Sequence, residues 1–321
     1  MDLSIVIVNH KTGFMTSECI SAVKNIIKSV SYEIIVVDNF SNDDSIEVFE
    51  SRHNDVKLIG LQKNYGYGTA MNRGVEASCG EYLLLLNSDI ILVEDFTEFL
   101  IGFYSKHNAG LLGLELHGVK GKFQKTFGVF PSPMLVISNQ LSVLRKINHP
   151  YFKKYASIKS DNPNTQKVDW ITGAFMFLSK KNFLKIGGFD ENFFMYYEDV
   201  DLCRRAVQLD FVNYFVSEFH AMHNHCGTVN ALPKEFFNIH KVNEKKSAIY
   251  YLQKYYPAYV KLVVWTLMII YTNKLSIMFV KYCIFSISKN RRVKNLYKLN
   301  STNKILKTLR MIRLHEIAQP D

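Results

Sequence analysis

Cysteine is scarce and unpatterned in this chain. Cys19, Cys79, Cys203, Cys226 and Cys283 are odd in number, widely scattered and nowhere in Cys-x-x-Cys or another metal-ligand spacing. This excludes a disulfide scaffold and predicts reduced thiols in a reducing compartment. The start, MDLSIVIVNH, lacks the basic stretch and small-residue cleavage site of a secretory leader, so its apolar run is expected to be a first buried strand. Internal repeats and low-complexity tracts are also missing. Acids are short in one place only. Of the 39 Lys/Arg and 29 Asp/Glu, Tyr250 to Asp321 takes 13 and two (Glu316, Asp321), leaving 26 and 27 elsewhere, so the net charge of +10 belongs to the tail. No nucleic-acid-binding fold accompanies that charge, and no nucleic-acid partner is expected.

What is present is enough for a sizeable core, since apolar residues make up 48% of the 321 and charged residues 21%. Leu3 to Val8 and Glu33 to Val37 are Ile/Val-rich runs that end abruptly in polar residues, the pattern of buried parallel strands. Between them Ile20, Val23, Ile26, Ile27 and Val30 have helical spacing. A helix is expected around Asp43 to Ser51, a strand at Val56 to Leu61, a helix at Ala70 to Ala77 and a strand at Glu81 to Leu86. The alternation predicts an α/β fold with a doubly wound sheet, whose ligands bind beyond the carboxyl ends of the strands, where Asp38 and Asn87-Ser88-Asp89 fall.

Residues from about 118 to 167 are polar, carry Pro131, Pro133, Pro150 and Pro163, and read as an irregular insertion. Apolar patterning resumes at Val168 and runs to about Gly227, so residues 1–237 are expected to form the main domain. Residues 238–321 read as a helical, basic region. Its stretches Ala258 to Thr272 and Leu275 to Ser288 contain Lys261 and Lys281, and each is shorter than the roughly 20 residues of a spanning helix. They are expected to lie at a membrane surface, with Trp265, Met268, Phe279 and Phe285 interleaved with lysines and the basic segment Lys289 to Arg313 drawn to anionic lipid. A helical hairpin packed on the main domain is the plainer alternative.

Several strand ends and turns carry residues suited to chemistry. Asp89 closes Tyr82 to Asp89 and is suited to hold a divalent cation against a diphosphate, although a strand-end Asp also serves as a turn or cap residue. Asp38 and Asn39 are suited to hydrogen-bond a pyrimidine ring, and Ser41 and Asp43 to cap the next helix. Asn64-Tyr-Gly66-Tyr-Gly68-Thr-Ala70-Met71-Asn72-Arg73-Gly74 is a small-residue turn entering a helix, a setting that favours phosphate. Met71 stands where a dinucleotide fingerprint needs Gly, which disfavours a nicotinamide-dependent oxidoreductase. In Gly187-Gly-Phe-Asp190-Glu191 through Glu198-Asp199-Val-Asp201-Leu-Cys-Arg204-Arg205, three carboxylates crowd four positions. Such crowding raises a carboxylate toward the range of a useful base. It is equally the composition of an acidic helix N-terminus with arginines one turn on.

Six segments, taken in order, resemble the motifs of family 2 glycosyltransferases of the GT-A fold, and most of all their bacterial rhamnosyltransferase-like branch. They are Ser4-Ile-Val-Ile-Val-Asn9, Val-Val-Asp38-Asn39, Asn64-x-Gly66-x-Gly-x-Ala-x-Asn72-Arg73-Gly, Leu86-Asn-Ser-Asp89, Trp170-Ile-Thr172-Gly173-Ala174 and Gly-Gly-Phe-Asp…Glu198-Asp199-x-Asp201-Leu, spanning roughly Leu3 to Gly227. The resemblance implies a GT-A type doubly wound mixed sheet and an inverting, metal-dependent glycosyltransferase. Asn9, Asp38, Asn39, Asn64, Gly66, Asn72, Arg73, Asn87, Ser88 and Asp89 would bind the donor. Trp170, Thr172, Gly173, Asp201 and Arg204 would line the sugar and acceptor pocket, or Trp170 would pack in the core.

By the same resemblance Asp199 is the general base with Glu198 as its rival, and Asp201 orients the base or pairs with Arg204. Asn87 departs from the pattern, since many relatives carry Asp there, leaving Asp89 as the one carboxylate of that motif. A His completes the metal set, His223 in preference to His225, with Mn²⁺ or Mg²⁺ as the ion. The implied donor is a dTDP- or UDP-sugar, with dTDP-rhamnose preferred. The implied acceptor is a saccharide, lipid-linked, in cell-surface polysaccharide synthesis such as O-antigen or cell wall. The implied location is peripheral, on the cytoplasmic side of the membrane, and the resemblance is compatible with a homodimer. The alternative from another class is a membrane-associated scaffold that binds sugar nucleotide without turnover.

Overall fold

The computed structural model describes residues 1–118, 121–124, 126–141, 165–223, 234–285 and 289–317. It divides into two compact units, Met1–Phe130 with Lys154–Leu232, and Pro131–Lys153 with Pro233–Asp321.

The first unit begins with strands β1 (Leu3–Asn9), β2 (Tyr32–Asp38) and β3 (Lys57–Gly60), with helices α1 (Gly13–Ile26), α2 (Ser45–Arg52) and α3 (Tyr67–Glu76) as crossovers. Then come β4 (Tyr82–Asn87), β5 (Ile90–Leu92), helix α4 (Thr97–Lys106) and β6 (Ala109–His117). β7 (Phe123–Gln124) and β8 (Phe127–Gly128) follow, and then β9 (Gln166–Val168), β10 (Trp170–Ile171) and β11 (Phe175–Ser179). In the second unit α5 (Pro133–Ser138) starts at a proline pre-set for a first helical turn, and the Ser132 hydroxyl accepts from the Leu135 amide at 3.2 Å. The first unit closes with α6 (Lys180–Ile186), α7 (Glu198–Gln208) and β12 (Val212–His223), and the second with α8 (Lys234–Tyr255), α9 (Pro257–Phe285) and α10 (Lys289–Ile317).

The main sheet runs β3-β2-β1-β4-β11-β6-β12-β5, with β7 added on β6 and β9 on β12. The first four positions are parallel, as continuous apolar strands linked by helices require. β11 enters antiparallel between β4 and β6, so the sheet is mixed. Ile5, Ile7 and Leu83 to Leu86 are fully buried, each contributing about 1.5–3 kcal/mol of burial. On α1, Thr16, Cys19, Ile20 and Val23 form the buried stripe at helical spacing. α3 lies close on β1 because Gly74 has no side chain. A Cβ there would come within 2.2 Å of Val6 Cγ1.

Two pairings decide what reaches the carboxyl edge. Antiparallel β11 begins beside the end of β4, where the Asn87 amide donates to the Ala174 carbonyl at 3.0 Å. Antiparallel β12 and β5 set His223 opposite Ile90, next to Asp89.

The segment expected as an irregular insertion is more ordered than its polarity suggested. Within it lie β7, β8 and α5, and α5 belongs to the second unit; residues 142–164, with Pro150 and Pro163, lie outside the described part. The two apolar stretches of the tail also differ from expectation. The first stretch and the second as far as Phe285 fall in one 29-residue helix, α9, because lysine does not break a helix as proline does, and Pro257 marks its first residue; residues 286–288 lie outside the described part. Pro257–Val280 is long and apolar enough to cross a membrane by length and composition.

Candidate functional site

The cradle at the ends of β1 and β2 is built around two side chains that work in opposite directions. Asn9, with no exposed surface, donates through Nδ2 to Asp38 Oδ1 at 2.7 Å and Ser41 Oγ at 2.8 Å. Its Oδ1 accepts from Thr12 and Thr16 at 2.9 and 2.8 Å. The Asn9 amide is thus used entirely inside the protein and positions Asp38. Asp38 also accepts the Ser41 hydroxyl and, at 3.1 Å, the Ser41 amide. Ser41 therefore does not cap α2, as expected, because its hydroxyl is taken up by the cradle. Thr12 extends the network to the end of β4, its oxygen 3.0 Å from the Ser88 hydroxyl.

Asn39 ties β2 to the turn before α3. Its Nδ2 donates to Asn64 Oδ1 and the Gly66 carbonyl, both at 3.1 Å, and its Oδ1 accepts the Tyr65 amide at 3.0 Å. His10 closes the ring, with Nδ1 2.9 Å from the Asn39 carbonyl and Nε2 3.3 Å from Asn64 Nδ2. Gly66 sits at φ +90°, where a Cβ would come within 2.1 Å of the Phe194 carbonyl oxygen. Lys11, Phe40 and Asn42 in this cradle, and Tyr196 and Tyr197 before α7, also have positive φ without being glycine. Such backbone costs on the order of 1–3 kcal/mol per residue and gathers where a site fixes its shape.

Asn72 and Arg73, expected at the donor, face elsewhere. By the second turn α3 has left the cradle, and Asn72 clasps the Phe189 backbone through its Oδ1 and Nδ2, both at 2.9 Å. Arg73 pairs with Glu76 at 2.6 Å and Glu191 at 3.6 Å on the exposed side. Both brace the loop leading to α7.

At the β4–β5 turn Asp89 and His223 are both nearly buried, with Oδ1 3.3 Å from Nε2. Gln124 fixes the ring. Its Nε2 donates to the His223 carbonyl at 2.9 Å, so its Oε1 faces Nδ1 at 2.7 Å, and Nδ1 must carry the hydrogen. In the neutral ring the Nε2 lone pair then points at a carboxylate oxygen. A carboxylate and an imidazole at this distance form an ion pair when the ring is protonated, and when it is neutral they offer two lone pairs to a shared cation. The donor set, one imidazole and one carboxylate, suits Mn²⁺ or Mg²⁺ with phosphate oxygens and water filling the other positions. Among the described residues no group of three or more His, Cys, Asp or Glu side chains converges to hold an ion, and His225 lies outside them.

The third element is the N-terminus of α7. Asp199, half-buried, accepts the Gly173 amide on Oδ2 at 2.9 Å and the Val200 amide on Oδ1 at 2.8 Å. Glu198 is buried, and its Oε2 has no hydrogen-bond partner. Burial raises the pKa of both, and for Glu198 the neighbouring Asp199 adds to it, pushing it well above the carboxylate range. The two backbone donors favour charge on Asp199, while burial and the neighbouring carboxylate press Glu198 toward its neutral form.

Tyr67 bridges these elements. Its hydroxyl donates to the Gly173 carbonyl at 2.6 Å. Its pKa is raised first by burial and then by the charge of Glu198, Asp199 and Asp89.

Asp201 takes Arg205 as an ion-pair partner. Fully buried, it accepts Arg205 Nε at 2.7 Å, and the same guanidinium donates to the Ile186 and Gly188 carbonyls at 2.6 Å each. The i,i+4 position places Arg205 over Asp201, while Arg204 lies 5.5 Å from the Phe130 ring. Trp170 donates from Nε1 to the Val129 carbonyl at 2.8 Å in the small β8–β10 sheet. The Thr172 amide donates to the Thr126 carbonyl at 2.7 Å, fixing the turn that offers Gly173.

The residues the motifs did not disclose are Gln124, Tyr67, Thr12 and Thr16. Gln124 lies in a polar segment without periodicity, and no local signal marks it. Tyr67 stands inside the glycine-rich segment, where an aromatic at a helix start was its one signal.

A mixed sheet whose carboxyl edge gathers acids from β2, the β4–β5 turn and α7 has the layout of the GT-A class of glycosyltransferase. Residues 4–164 match the family described as Glycosyl transferase family 2, and the chain belongs to that family. It is 26% identical over 226 residues to the N-acetylglucosaminyl-diphospho-decaprenol L-rhamnosyltransferase of Mycobacterium tuberculosis (strain CDC 1551 / Oshkosh), covering 64% of this chain and 71% of that one. To rhamnosyltransferase WbbL of Escherichia coli (strain K12) it is 31% identical, over 50% of this chain and 61% of that one. Among solved structures, GalNAc-T7 with UDP, GalNAc and Mn²⁺ superposes with a TM-score of 0.53 at 17% identity, covering 75% of this chain and 48% of that one. At that identity the likeness is one of fold. Family membership carries a nucleotide-sugar donor and a saccharide acceptor.

Proposed function

We propose that the protein is an inverting glycosyltransferase that moves L-rhamnose from dTDP-rhamnose to a saccharide, lipid-linked acceptor in cell-surface polysaccharide synthesis. The observation that carries the chemistry is the Asp199 carboxylate, held by the Gly173 and Val200 amides at the N-terminus of α7 beside the buried Glu198. The choice of sugar is supported by the similarity to the mycobacterial and Escherichia coli rhamnosyltransferases.

In this reading Asp38 and Asn39 take the base of the donor, oriented by Asn9 and Asn64. Asp89 and His223 would hold a divalent cation, which supplies charge neutralisation for the departing diphosphate. Asp199 accepts the proton of the acceptor hydroxyl as that oxygen bonds to the anomeric carbon from the face opposite the diphosphate. The bond from that carbon to the diphosphate oxygen breaks and configuration inverts. Raised by burial, Asp199 is a stronger base than a free aspartate.

Attachment to the cytoplasmic membrane surface belongs to the same reading. On α9, Val263, Val264 and Leu267 are buried, while Leu262, Trp265 and Ile269 are exposed as a stripe. One covered and one bare apolar face fit insertion into a lipid interface better than a lone span.

The test is release of nucleoside diphosphate from a panel of sugar nucleotides by detergent-purified protein with Mn²⁺ or Mg²⁺, with a lipid-linked acceptor supplied. Release from dTDP-rhamnose that falls by about 10²–10⁴ in Asp199→Asn supports the reading. Release from another donor replaces the sugar, and no release from any donor leaves a non-catalytic sugar-nucleotide scaffold.

A further inference from the structure

Tyr67 opens α3 and is anchored from two sides before its hydroxyl is used. Its amide donates to the Phe194 carbonyl in the loop before α7 at 3.0 Å, and its ring meets the Phe189 ring edge-on with 6.1 Å between centroids. The hydroxyl reaches a different segment, the turn at 172–174. There the Thr172 amide donates to the Thr126 carbonyl at 2.7 Å, and the Ala174 carbonyl accepts the Asn87 amide at 3.0 Å. Gly173 lies between those two ties with the freest backbone of any residue type. Its carbonyl accepts the Tyr67 hydroxyl at 2.6 Å, and its amide donates to Asp199 Oδ2 at 2.9 Å. Both partners close in because the residue has no side chain. A Cβ on Gly173 would lie 3.3 Å from Tyr67 Cε1 and 3.5 Å from Asp199 Cβ.

The two bonds fall on either side of one Cα, so the direction in which Gly173 presents its amide depends on where its carbonyl is held. Without the phenol, rotation about the Gly173 backbone is free to turn that amide away, and Asp199 keeps the Val200 amide on its other oxygen. Burial and the charge of the surrounding carboxylates push the Tyr67 pKa up, which keeps the hydroxyl protonated and able to donate. We propose that Tyr67 is a positioning residue for the general base, its hydroxyl holding Gly173 so that the Gly173 amide aims the Asp199 carboxylate at the acceptor hydroxyl. The proposal rests on the reading of Asp199 as the base and adds a residue that acts on it through Gly173.

The experiment measures steady-state nucleoside diphosphate release, using the donor that the wild type turns over fastest in the panel above, for Tyr67→Phe, Asp199→Asn and the double variant. Tyr104→Phe is the control, since its hydroxyl lies 3.2 Å from the Gly110 carbonyl near the start of β6, away from the carboxyl edge. Tyr67→Phe should lose about tenfold in kcat, the effect of one hydrogen bond, with the donor KM changed by less than about twofold. The acid limb of its kcat profile should move to higher pH, because the Gly173 amide that favours the charged form of Asp199 is loosened. In the double variant Tyr67→Phe should remove nothing beyond Asp199→Asn, as residues acting as a unit require. Tyr104→Phe should keep the full rate. A loss of the same size persisting in the double variant, an unchanged kcat, or a raised donor KM in its place overturns the proposal, and so does an equal loss in Tyr104→Phe. Should Tyr67→Phe not fold, judged by urea unfolding, Gly173→Ala takes its place, since its Cβ presses on both Tyr67 and Asp199; an unchanged kcat there also overturns the proposal. Wild-type rate in Asp199→Asn, or no release by the wild type, would instead remove the base itself, a failure of the transferase reading that is distinct from additivity in the double variant.

Discussion

Gln124 offers the sharpest probe of the carboxylate–imidazole pair, because it touches neither the donor cradle nor Asp199. Gln124→Met keeps the length of the side chain and removes both hydrogen bonds, the 2.9 Å bond to the His223 carbonyl and the 2.7 Å bond from Nδ1. The His223 ring is nearly buried, so its Nδ1–H loses its acceptor where water does not readily replace it, at a cost of about 1–3 kcal/mol. Loss of such an orienting partner costs about 10–100-fold in metal affinity, which at about 1.4 kcal/mol per tenfold is about 1.4–2.8 kcal/mol. The two routes to the magnitude agree. The assay is nucleoside diphosphate release as a function of Mn²⁺ concentration. Half-saturation should move up by about 10–100-fold while the rate at saturating Mn²⁺ recovers. His223→Ala, lacking the ligand itself, should not recover. An unchanged half-saturation, or a lowered ceiling without a shift, would refute the assignment of Asp89 and His223 as ion ligands.

Other expectations follow from individual contacts. Gly66→Ala drives a Cβ to 2.1 Å from the Phe194 carbonyl oxygen at a left-handed φ. It should cost about 1–3 kcal/mol in urea unfolding and raise KM for the donor more than it lowers kcat. Arg205→Met removes the guanidinium that pairs with the buried Asp201, and should lower stability by about 3–5 kcal/mol, read from the urea midpoint. Glu198 titrates well above its unfolded value of 4.5. The stability it contributes is therefore fully present below that value and lost as pH rises toward the folded one. Glu198→Gln should accordingly gain in melting temperature over wild type as pH rises, with the gain vanishing near pH 4; a gain independent of pH would show that Glu198 is not held protonated.

The linear order of residues was sufficient for the first half of the fold. Apolar runs ending in polar residues, separated by helical spacing, marked β1, β2 and β4 and put Asp38, Asn39 and Asp89 at strand ends, because strand period and strand end are local properties. The same locality misjudged the tail, where a count of apolar residues between lysines divided what backbone hydrogen bonding continues as α9. It also left the three acids of α7 alike on paper.

Tertiary structure separated those acids. Asp199 meets the Gly173 amide from a turn 26 residues away, Glu198 is buried with its Oε2 unbonded, and Asp201 takes Arg205 by helical register. The pairing of β12 with β5 brings His223 to Asp89 across more than 130 positions, and Gln124 reaches the same ring from 99 residues away. Residue types and their local spacing determine which groups are available and which elements they sit on. Which groups face each other depends on long-range strand pairing and burial, and only the folded chain decides it.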